Sequence, residues 1–60
     1  RIDPTLRALF RVATAELIDK KAPPKVIINE FLEIAKAFFP EGKEPKLVNG
    51  VLDKIAEKIY

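Results

Sequence analysis

The sequence predicts an all-α fold of three helices. Apolar residues recur at three- and four-residue intervals in three separate segments. Five prolines fall at the borders of those segments. No alternating run reads as a strand; Val26 to Ile28 is β-branched, but it sits inside a longer helical period.

The first helix is expected over about 4–19. Asp3-Pro4 reads as an N-cap followed by proline at the first helical position, where its missing N–H costs nothing. Leu6, Leu9, Phe10, Ala13 and Leu17 then share one face. Ala8, Val12 and Ala15 spread small or apolar surface around the other side, so more than half the circumference asks for burial. Lys20 to Pro24 breaks this helix and starts the second, expected over 25–39. There Ile27, Ile28, Phe31, Ile34, Ala35 and Phe38 make one face, which Leu32 and Phe39 extend. Lys25, Asn29, Glu33 and Lys36 form a polar strip opposite. Pro40 to Lys43 is a turn, and Pro45 opens the third helix, expected over 45–59, with Leu47, Val48, Val51, Leu52, Ile55, Ala56 and Ile59 on its apolar half. Apolar arcs this wide on the first two helices mean an exposed patch, more protein packed against it, or self-association.

Sixty residues make one domain at most, close to the lower limit for a chain without a staple. The chain has no cysteine, histidine or serine, which excludes disulfides, Cys/His metal sites and the usual nucleophile–base pairs. Glu30 and Glu33 are three apart on one helix but have no further ligand on a facing one, so no metal site is expected. No glycine-rich phosphate loop is present, and no cofactor is expected. A net charge of +2 permits nucleic-acid binding without arguing for it. No apolar run approaches the roughly 18 residues of a membrane span, and a soluble, cytoplasmic protein without membrane contact is the expectation.

The chemistry on offer is therefore recognition. Lys43 and Lys46 bracket the start of the third helix, where backbone N–H groups and the helix dipole favour anions. Asn49 and Gly50 lie one turn further on. Gly50 falls on the polar half among Lys46, Asn49, Asp53 and Glu57, where an interior glycine costs about 1 kcal/mol relative to alanine. Either another protein element or a ligand approaches the backbone there, or the glycine is merely tolerated. Lys43, Lys46, Asn49 and Gly50 together are the candidate contact surface. Arg7 and Arg11, four apart on the first helix, suit phosphates or the margin of a core equally.

Two segments then resemble a known family. Lys25 to Lys36, KVIINEFLEIAK, and Lys46 to Ala56, KLVNGVLDKIA, are similar to the paired motifs near the C-terminus of the NusB family of bacterial transcription antitermination factors. Leu6 to Leu17, LRALFRVATAEL, resembles the helix that precedes them, and Ala37-Phe38-Phe39 looks alphaproteobacterial. The resemblance covers essentially the whole chain. It implies a three-helix C-terminal subdomain, residues 1–60, of a longer all-helical protein whose N-terminal subdomain covers the apolar arcs. It implies binding of boxA-type RNA together with a small-subunit ribosomal protein, with no enzymatic activity. By this resemblance Lys46, Asn49 and Gly50 fall on the RNA side.

Two positions depart from the family pattern. Leu47 stands where an aromatic residue often precedes V-N-G, and it cannot stack on a base. Ala15 stands where an aromatic commonly precedes Glu-Leu. Two other readings compete. One is a self-assembling helical module. The other is the related RNA-recruiting domain of a ribosomal RNA cytosine methyltransferase, whose last helix tends to read V-N-A-V-L-R-R; Gly50 and Asp53 speak against it.

Overall fold

The computed structural model describes residues 3–60; Arg1 and Ile2, part of the expected domain, lie outside the described residues. It contains α1 (Pro4–Asp19), α2 (Pro24–Phe38) and α3 (Glu44–Ile59). Each helix has proline in its first turn, where the absent N–H would have had no partner in any case. Asp3 caps α1: its Oδ1 accepts from the Thr5 N–H at 2.7 Å. The helix ends at Lys20, which adopts the left-handed conformation (φ 54°, ψ 44°) and donates its N–H to the Leu17 carbonyl at 3.1 Å.

The second and third helices begin one residue before the periodicity places them, at Pro24 and Glu44. Phe39, expected in α2, is instead its C-cap at φ −129° and ψ 64°. Pro40 accounts for this, because a proline ring disfavours helical backbone at the residue before it.

All three helices touch one another around a single core. Leu6, Leu9, Ala13 and Leu17 enter it from α1, Ile27, Ile28, Phe31 and Ala35 from α2, and Val48, Leu52 and Ala56 from α3. Ala13 and Ala35 are fully buried, and their small side chains let the helices approach closely. Phe10, Phe39, Ile55 and Ile59 close the margins. At the far end of α3, the Tyr60 hydroxyl donates to the Ala22 carbonyl at 3.2 Å, and the Lys20 ammonium lies 5.3 Å from the Tyr60 ring centroid. The end of α3 thus sits beside the turn that opens α2, so the two helices run antiparallel.

The apolar face of α2 is wider than the core can accept. Ile34 and Phe38, grouped with the core stripe by periodicity, are 42% and 62% exposed. Together with Ala8, Leu9 and Val12 of α1 and with Phe31, they line an open groove of about 290 Å³ between the first two helices. No helix among the described residues is long and apolar enough to cross a membrane.

Candidate nucleic-acid interface

The turn from α2 to α3 and the outer face of α3 carry the residues singled out in the sequence. Val48, Leu52 and Ala56 face the core, and the 3.6-residue period then turns Lys46, Asn49, Gly50 and Asp53 to solvent. Lys43 is the N-cap of α3 and makes no side-chain capping bond. Lys43 and Lys46 are exposed and, among the described residues, form no ion pair. The ion pair that is formed joins Lys36 and Glu33 at 3.7 Å on the surface of α2.

Gly50 looks onto open space: a Cβ built there meets nothing within 4 Å. No element of the described chain therefore approaches the backbone at this point. Packing within these three helices does not require the glycine. Gly42 is different. The Glu44 side chain folds over it, so an added Cβ would collide with the carboxylate, and Glu44 Oε1 is buried there without a hydrogen-bond partner. The first turn of α3 thus carries its own negative charge against the positive end of the helix dipole. This helix start is less receptive to a phosphate than periodicity alone implies. An anion on this corner would be held by the lysine side chains.

Asn49 belongs to a second feature that the sequence did not expose. With Asp53 it faces Lys25 and Asn29 of α2 across a cleft of about 260 Å³, with Ile28 contributing the apolar part of its lining. Both polar strips were visible as separate helical faces. Their meeting depends on how α2 and α3 are rotated against each other, which no single-helix period encodes. Arg7 and Arg11 lie elsewhere, on the outer face of α1 beside Pro4 and Ala8. Leu47 is half exposed between Lys46 and the buried Val48, an aliphatic surface next to the basic corner.

Comparison with known proteins gives consistent matches. A model described as NusB family matches residues 1–57. The chain is 58% identical to the transcription antitermination protein NusB of Bartonella tribocorum, over 98% of this chain and 38% of that protein. It is 57% identical to the NusB of Sinorhizobium fredii, over 98% of this chain and 37% of that one. For the NusB of Granulibacter bethesdensis the identity is 50%, over 98% and 36%. The chain therefore spans less than two fifths of the length of these curated relatives. No solved structure gives a significant match.

Proposed function

The chain belongs to the NusB family, and from that premise we propose that the protein carrying it is a cytoplasmic transcription antitermination factor that binds RNA and protein and catalyses no reaction. The observation that carries this is the family match over residues 1–57, with relatives 50–58% identical that bear the antitermination name. The proposed ligand is boxA-type single-stranded RNA, taken together with a small-subunit ribosomal protein of the elongation complex. Residues 1–60 serve as a helical subdomain of that factor. Lys43 and Lys46 supply phosphate contacts, and Asn49 and Gly50 lie against the bound strand.

The open groove between α1 and α2 supports a further part of this reading. Val12, Ile34 and Phe38 expose apolar surface that a free-standing domain this small gains nothing by exposing. The remaining length of a NusB-like parent, its N-terminal subdomain, is the proposed cover. The methyltransferase reading receives no support from relatives that are named as antitermination proteins.

Lys46→Glu in the intact protein tests the RNA reading. Affinity for boxA-type RNA should fall, and the slope of log K against log salt should shrink by about one. An unchanged affinity and slope would remove Lys46 from the interface. Adding the ribosomal protein should tighten binding by the unsubstituted protein; no change on addition would remove it as a partner in RNA binding.

A further inference from the structure

The α2–α3 cleft brings four polar side chains of mixed chemistry to one place. Lys25 and Asn29 project from α2, Asn49 and Asp53 from α3. None of the four makes a side-chain hydrogen bond or an ion pair among the described residues, although a cation and a carboxylate line the same small space. Their donors and acceptors are free to meet something else. At about 260 Å³ the cleft lies below the roughly 300–1,000 Å³ of sites that enclose a drug-sized ligand, which suits a small planar group. Ile28, buried in the core, contributes only a small apolar patch to the lining.

We propose that this cleft reads one guanine of the bound strand; the inference rests on the RNA-binding reading above. A carboxylate such as Asp53 repels a phosphate, so the cleft is unsuited to the RNA backbone. It suits a base edge that combines donors with an acceptor. Guanine presents two adjacent donors, N1–H and the N2 amine, which a carboxylate accepts as a pair. Its O6 and N7 accept from Lys25 or from the amides of Asn29 and Asn49. Cytosine and adenine each offer one exocyclic amine and uracil one ring N–H, so each leaves part of the Asp53 carboxylate unpaired. Single-stranded RNA leaves such edges free to be read. Lys46, one turn before Asn49 on the exposed side of α3, holds the backbone while the cleft takes the base. Gly50 leaves open space beside Asn49, where a strand can pass close to the helix.

The test measures binding of the intact protein to a guanine-containing boxA-type RNA and to the same RNA with inosine in place of guanine. Inosine keeps O6, N1–H and N7 and lacks the N2 amine. Unsubstituted protein should lose about tenfold on inosine RNA. Asp53→Asn should lose about tenfold on guanine RNA and show little further loss on inosine RNA, because both changes remove the same bond. Asn29→Ala should weaken guanine RNA several-fold. Asp53 and Asn29 are exposed, and unchanged melting of both variants would exclude misfolding. Equal binding of the two RNAs by unsubstituted protein overturns the proposal. If Lys46→Glu still weakens binding in that case, the RNA reading survives and only the guanine pocket falls. Absence of any RNA binding removes both. An Asp53→Asn defect confined to the ribosomal protein, with RNA affinity intact, also overturns the proposal and assigns the cleft to a protein contact.

Discussion

At the scale of single residues, Gly50 is where folding and the proposed recognition can be measured apart. Its Cβ position faces open space, so Gly50→Ala removes the conformational penalty of glycine without creating a clash. The substitution should raise the stability of the folded chain by about 1 kcal/mol, read as a shifted denaturant midpoint at constant slope. If the RNA passes close to this backbone, affinity of the intact protein should fall at the same time. A gain in stability with unchanged affinity would make the glycine a tolerated residue and nothing more. The sequence showed Gly50 on the polar half of its helix, because a wheel needs only spacing. It did not show whether another part of the chain lies over it, because that is a tertiary fact. Phe39 marks a similar boundary. Its apolar character continues the period of α2, yet the following Pro40 governs its backbone.

At the scale of elements, the helices were legible because prolines, the Asp3 cap and the apolar period all agree on where they begin and end. The Asp3 cap has a measurable share: Asp3→Ala should cost about 1 kcal/mol, since the Thr5 N–H then loses its acceptor. Leu52 is a larger case. It is fully buried on α3 between the other two helices, and Leu52→Ala should cost about 2–5 kcal/mol. At about 0.05–0.15 kcal/mol per residue a sixty-residue chain has roughly 3–9 kcal/mol in all, so this variant should melt at a markedly lower temperature. The candidate site was legible only in part. Lys43, Lys46, Asn49 and Gly50 lie on neighbouring stretches of chain, so spacing brings them together. Lys25 and Asn29 are more than a helix away from Asn49 and Asp53 in sequence, and only the antiparallel packing of α2 on α3 makes them one cleft.

At the scale of the whole molecule, the surplus of apolar surface follows from the number of faces. Three helices can bury one stripe each against the others, and α1 and α2 carry more than that. Ile34→Lys and Phe38→Lys change groove positions; the change at Phe38, the more exposed, should alter stability by no more than about 0.5 kcal/mol, and that at Ile34, more than half buried, should cost more. In sedimentation of the sixty-residue chain, both should suppress any concentration-dependent association, while the unsubstituted chain should associate at high concentration if the groove is left uncovered. The same substitutions in the intact protein should be strongly destabilising, since there the groove would be filled. A groove that tolerates lysine in both settings would not be an internal interface. The tie between Tyr60 and Ala22 bears on time as well as on strength. It joins residues 38 apart in sequence and has little supporting burial, so it has to wait for the helices around it. The transition state should lack it. Tyr60→Phe should therefore leave the refolding rate unchanged and speed unfolding about two- to fivefold in stopped-flow measurements, which makes this bond a brake on opening and gives it no part in assembly.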